Sequence, residues 1–166
     1  GKGINLRDRE KLLPVFKQLG RIFKKYTRLP QLIYRGVVLP EAFGTILTDK
    51  LPYTENKESI FNLIDGLAYG LRSWTDSKKN AIYWADNKDF PNRDSVVFIS
   101  DTTDVIFDCN AFFNVIDSTG IRIRDTERPF DRDEFITYKQ KPRVSNITRV
   151  YDRRYGDYGI WEVIVR

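Results

Sequence analysis

Apolar and polar positions recur along this chain with two different periods. Residues 5–30, "NLRDREKLLPVFKQLGRIFKKYTRLP", place Leu6, Leu12, Leu13, Phe16, Leu19, Ile22 and Phe23 at helical spacing behind Asn5, a candidate N-cap. One or two amphipathic helices ending near Tyr26 are expected, with Pro14 starting or kinking one of them. From residue 31 the period shortens. "QLIYRGVVL", "LRSWT", "DSVVFIS" and "DVIFDCNA" read as strands. "NKESIFNLIDGLAYG" and "SKKNAIYWADN" read as short helices, the second offering Ala81, Ile82, Trp84 and Ala85 for burial. Residues 117–146 are polar, rich in Arg and Asp and weakly patterned, so a long excursion with some local structure is expected there. The chain then closes on a strand, "YGIWEVIVR".

The pattern predicts an α+β domain over residues 1–166, with leading helices in 1–30 and a strand-rich core in 31–166. Apolar residues make up 41% of the chain and aromatics 14%, enough for a real core and too much for disorder. No apolar stretch is long enough to span a membrane, and no continuous apolar run marks an export signal at the N-terminus. A cytoplasmic site of action follows as an expectation. The chain has no methionine, even at position 1, and so reads as a processed or excised product.

Composition removes whole classes of chemistry. There is no histidine, which excludes histidine-based triads, general bases and metal sites. The one cysteine, Cys109, lies among apolar neighbours and is expected to be a buried, inert thiol. No metal is expected. Chemistry must run on carboxylates, hydroxyls, Lys, Arg or a bound nucleotide. The net charge of +5 is concentrated in residues 2–28, a solvated helix face or a docking face for an acidic partner or nucleic acid.

Three polar residues stand in apolar runs: Arg35 in "LIYRGVV", Ser73 in "GLRSWT" and Glu162 in "IWEVIV". An ionised carboxylate without partners is costly to bury. Glu162 therefore points to solvent from a half-buried strand, pairs with a buried Arg, or lines a cleft. The planar fork of an Arg suits a diphosphate, and Gly36 beside it permits close approach to the backbone. A carboxylate oriented by a Ser hydroxyl can bond ribose hydroxyls and stabilise a developing cation. Arg, Ser and Glu facing one cleft would suit a nucleotide sugar whose glycosidic bond breaks.

In this order and context the three residues resemble the Arg–Ser–Glu signature of the ADP-ribosyltransferase superfamily. "YRG" (Tyr34, Arg35, Gly36) resembles the family's first conserved strand, and "RSWTDSKKNAIYWA" its Ser-Thr-Ser strand and following helix, in a Ser-Trp-Thr variant. "VIFDCNAF" resembles the strand before the catalytic loop, and "WEVIV" the last strand with its catalytic Glu. The likeness covers residues 32–166, and the missing histidine excludes the branch that replaces the Arg with His.

The resemblance implies a split-sandwich fold and an NAD-cleaving mono-ADP-ribosyltransferase. NAD would be the substrate, and the partner a macromolecular acceptor, protein in preference to nucleic acid. It implies that Arg35 grips the NAD diphosphate and nicotinamide ribose, and that Gly36 meets the nicotinamide amide. Ser73 would hold Glu162, and Glu162 would stabilise the oxocarbenium-like state. Thr75 would support the site, and Trp74 would be pocket wall or core. Many members carry Glu or Gln two residues before the catalytic Glu, but this chain has Ile160 there. The preceding loop, with Arg153, Arg154, Tyr155 and Tyr158, would contact the target together with Ile160. An NAD glycohydrolase needs no acceptor-selecting residue at position 160 and is the alternative enzyme. A non-catalytic basic module is the alternative outside catalysis. Compact transferases of this type are often phage or bacterial effectors, toxin-like and active in a host cytosol after delivery.

Overall fold

The structure, a computed structural model, describes residues 6–51, 55–123, 130–151 and 159–166. Helix α1 (Leu6–Ile22) leads, followed by β1 (Ile33–Val38), α2 (Ile46–Lys50), α3 (Lys57–Ala68), β2 (Gly70–Thr75) and α4 (Lys78–Trp84). Strands β3 (Ser95–Ser100) and β4 (Val105–Asp108) run into α5 (Cys109–Ser118), and β5 (Glu134–Lys139), β6 (Val144–Val150) and β7 (Ile160–Val165) close the chain. This is a mixed α/β architecture, with five α-helices and a seven-stranded sheet among the described residues. None of the described helices is long and apolar enough to cross a membrane.

The strands lie in the order β4-β5-β2-β1-β3-β7-β6, all neighbours antiparallel except the β3–β7 pair. Pairing is uneven. β1 matches β3 over all six residues, and β2 matches β5 over all six, yet β1 and β2 share one registered pair, Tyr34 with Thr75. The sheet therefore has a seam between β2 and β1. It also curls. β5 and β3 are three strand spacings apart, about 14 Å in a flat sheet. Even so, Lys139 Nζ on β5 donates to Ser100 Oγ on β3 at 2.8 Å. Ile33, Trp74, Phe98, Phe135, Val163 and Val165 meet on the concave face, under Ile60 and Ile64 of α3 and Leu47 of α2.

The other face is covered in two places. Phe16 of α1 and Phe113 of α5 close over Leu71, Phe107 and Ile136, with Phe130 stacked edge-on against Phe107 and Phe113. Ala81 and Ala85 of α4 close over Val97 and Ile160. Glycine is required at position 36, because a Cβ there would overlap the Ala81 carbonyl oxygen.

Several expectations are corrected. Pro14 does not start a helix but sits inside α1. Pro14 and Glu10 are both exposed, so the Glu10 carbonyl that loses its helical donor is open to water. Ile22, counted on the apolar face, is 57% exposed. The run read as one strand, "DVIFDCNA", breaks at Asp108. Its carboxylate accepts from the backbone N–H of Asn110 (3.0 Å) and Ala111 (3.4 Å) and starts α5. The supposed excursion over 117–146 holds β5 and the start of β6.

Candidate functional site

Glu162 lies on β7 between Trp161 and Val163, which face the concave core. Alternation sends Glu162 to the opposite face. The register places Gly36, Val97 and Glu162 in one row across β1, β3 and β7. Its next neighbour across β6 is Thr148, which is exposed. The carboxylate is partly exposed, at 23%, and forms an ion pair with Lys78 on the first turn of α4. A carboxylate can sit in this apolar run because its own face opens beyond α4 and a lysine meets it there.

Arg35 occupies the adjacent row, with Phe98 and Val163, on the concave side. It spans the seam: its Nη1 donates to the Ser73 carbonyl oxygen on β2 at 2.9 Å. Arg35 thus reaches the backbone of Ser73, but the Ser73 side chain alternates with Trp74 and points to the face opposite Arg35, so the two side chains do not face one cleft. Glu162 is not with them. It lies on the other face from Arg35 and three strand spacings, about 14 Å, from Ser73. The expected Ser73–Glu162 bond is corrected accordingly. Ser73 Oγ donates instead to Glu134 Oε1 on β5, at 2.7 Å.

Glu134 is the residue that sequence reasoning missed. Its second oxygen accepts from the Asp131 N–H at 2.6 Å. Burial pushes its carboxyl above the usual glutamate range; the nearby charges of Asp131 and Asp133 push the same way, against the two hydrogen bonds. The signal was present in "EFITYK", whose alternation is that of a strand, but its polar surroundings hid it. Lys78 was missed too, as one of a pair of lysines opening a helix.

The remaining predicted residues divide cleanly. Thr75 is fully buried and structural: its Oγ1 accepts from the Ser77 N–H at 3.1 Å and donates to Asp133 at 3.4 Å. Asn80 on α4 donates to the same Asp133 oxygen at 3.0 Å, which ties the helix to the start of β5. Trp74 is wholly buried in the concave core, edge-on to Phe98, and is no pocket wall. Gly36 meets α4 on its open side, so that side is closed to a ligand. Ile160 is 9% exposed and packs with Ala81, Ala85 and Val97, so it cannot touch a target. Arg153, Arg154, Tyr155 and Tyr158 lie outside the described residues. Among the described residues, no group of His, Cys, Asp and Glu is arranged to hold a metal.

No family model, no curated protein and no solved structure matches this chain.

Proposed function

We propose that the chain is a mono-ADP-ribosyltransferase with a split-sandwich fold of that superfamily, acting on NAD and a macromolecular acceptor, protein in preference to nucleic acid. The observation that carries the reading is the Arg35–Ser73 link across the seam where β1 and β2 stop pairing. Two residues from separate motifs meet where the sheet divides, and a divided sheet is where a nucleotide can enter between strands. Arg35 supplies a guanidinium for the diphosphate. A carboxylate must then stabilise C1′ of the nicotinamide ribose as its bond to the nicotinamide nitrogen breaks. The acceptor nucleophile forms the new bond to C1′ and releases its proton to water. Chain order and the partly exposed carboxylate nominate Glu162; the bond to Ser73 nominates Glu134.

A second reading, a non-catalytic basic binding module, is favoured by the Lys78–Glu162 ion pair and by the placement of Arg35 and Glu162 on opposite faces.

Nicotinamide release from NAD, with and without cell lysate, decides between them. The wild type, Glu162→Gln, Glu134→Gln and Arg35→Ala are compared. Release lost in Arg35→Ala and in one Glu variant identifies an enzyme and its carboxylate. Label retained on a macromolecule makes it a transferase, whereas free ADP-ribose without lysate makes it a glycohydrolase. No release from the wild type under either condition, with no thermal stabilisation by NAD, overturns the enzyme reading.

A further inference from the structure

Away from the seam, α1 and the turn after it lie against the outer strand β4 and leave a groove of about 370 Å³. That volume lies at the lower end of the range for small-ligand sites, roughly 300–1,000 Å³. Its rim is cationic. Lys17, Arg21 and Lys24 all line it and all are exposed. Lys17 and Arg21 fall at i and i+4 on α1, where like charges repel, and Lys24 follows in the turn after the helix. Among the described residues none of the three forms an ion pair; Lys17 rests over the Tyr138 ring instead.

The one carboxylate in the lining, Asp108, is buried and already engaged. It accepts from the Arg28 N–H at 3.2 Å and caps α5. It offers the rim no counter-charge at the surface. The floor is apolar: Val105 and Ile106 are half-buried, and Leu29 is 47% exposed at one end. Gly20 allows α1 to come this close, since any Cβ there would overlap the Ile106 carbonyl oxygen of β4.

We propose that this groove is a docking site for an acidic, amphipathic polypeptide segment, its carboxylates meeting Lys17, Arg21 and Lys24 and its apolar side chains resting on Leu29, Val105 and Ile106. The charge is complementary to such a segment, and the floor is what separates it from nucleic acid. Single-stranded nucleic acid is held by aromatic faces that stack on bases. The one aromatic ring in the lining, Phe107, is 1% exposed and offers no face. The site is independent of NAD.

The test is fluorescence anisotropy with three labelled probes: a peptide alternating pairs of Glu and Leu, polyglutamate of the same length, and oligothymidylate. The Glu–Leu peptide is expected to bind most tightly. Replacing Lys17, Arg21 and Lys24 together by Ala removes three surface charge contacts and is expected to weaken it about tenfold. Leu29→Ser, at an exposed position, is expected to weaken the Glu–Leu peptide and leave polyglutamate unchanged. Thermal melting checks that the variants fold, and Arg21→Gln alone serves if the triple variant does not. Equal binding of polyglutamate overturns the role of the floor. Tighter binding of oligothymidylate makes the groove a nucleic-acid site and overturns the proposal. Binding of the Glu–Leu peptide that the rim variants leave unchanged, or binding of no probe at low salt, also overturns it.

Discussion

The Ser73 hydroxyl donates a hydrogen bond to Glu134, and the carbonyl oxygen of the same residue accepts one from Arg35. One short strand thus ties a guanidinium on β1 to a carboxyl on β5. Burial keeps that carboxyl above the usual glutamate range. Between its unfolded and folded values, the carboxyl of the folded protein holds a proton that the unfolded chain has released. Its stabilising contribution is therefore fully present below the ordinary glutamate value and lost as pH rises through the folded value. Glu134→Gln keeps an oxygen for Ser73 and removes the titration. Its NH2 then faces the Asp131 N–H, which costs the variant a hydrogen bond at every pH, so the expected signature is in the slope: the wild type's melting temperature loses this contribution as pH rises above ~4, and the variant's does not. Melting curves across that range check it.

Two glycines should respond in opposite directions. Gly36→Ala drives a methyl into the backbone of α4 and is expected to cost about 3 kcal/mol. Gly66, exposed in α3, has open space where its Cβ would be. Gly66→Ala is expected to stabilise by about 0.5–1 kcal/mol. Urea unfolding midpoints measure both.

Lys139 is 1% exposed and donates to Asp104 Oδ2 at 2.9 Å and to Ser100 Oγ at 2.8 Å. Asp104→Asn removes the carboxylate that is hydrogen-bonded to the buried ammonium, leaving the charge of Asp101 nearby, and is expected to cost about 1–2 kcal/mol, since Asp104 is itself 40% exposed. Lys139→Met removes the charge and fills the same space beside Trp74, at a cost expected below about 1 kcal/mol. Denaturation of the two variants side by side distinguishes a needed charge from a needed volume.

Cys109 is fully buried, and burial, with Glu134 and Asp108 adding to it, pushes its thiol far up. The native protein is expected to show no iodoacetamide adduct in the time that fully alkylates the urea-unfolded chain. Intact mass reads the result.

The elements whose apolar period matched their burial were legible: β1, β2, β3, β7 and α3 stand where alternation or helical spacing puts them, and α4 stands in its expected place although Trp84, offered for burial, is 42% exposed. The misses have physical causes. Asp108 turned an unbroken apolar run from strand to helix through two backbone hydrogen bonds, which hydrophobic pattern does not register. β5 was hidden because Glu134 and Lys139, its charged ends, are paired by residues distant in sequence, Ser73 and Asp104. At the site, motif order named Arg35, Ser73 and Glu162, yet only strand order and register could say which of them share a face. Arg35 stands on the concave face and reaches only the backbone of Ser73, while the side chains of Ser73 and Glu162 are on the other face, three strands apart, with Glu134 and Lys78 as their partners.

β7 follows the other six described strands in sequence and lies between β3 and β6, parallel to one and antiparallel to the other. Until β7 is synthesised, β3 has an open edge of Val96, Val97 and Phe98, and β6 lacks the one strand it pairs with among the described residues. An unpaired apolar edge invites pairing with another chain. The nascent protein therefore depends on a late insertion into the middle of its own sheet, and crowding of ribosomes on one message would favour aggregation over folding until that strand emerges.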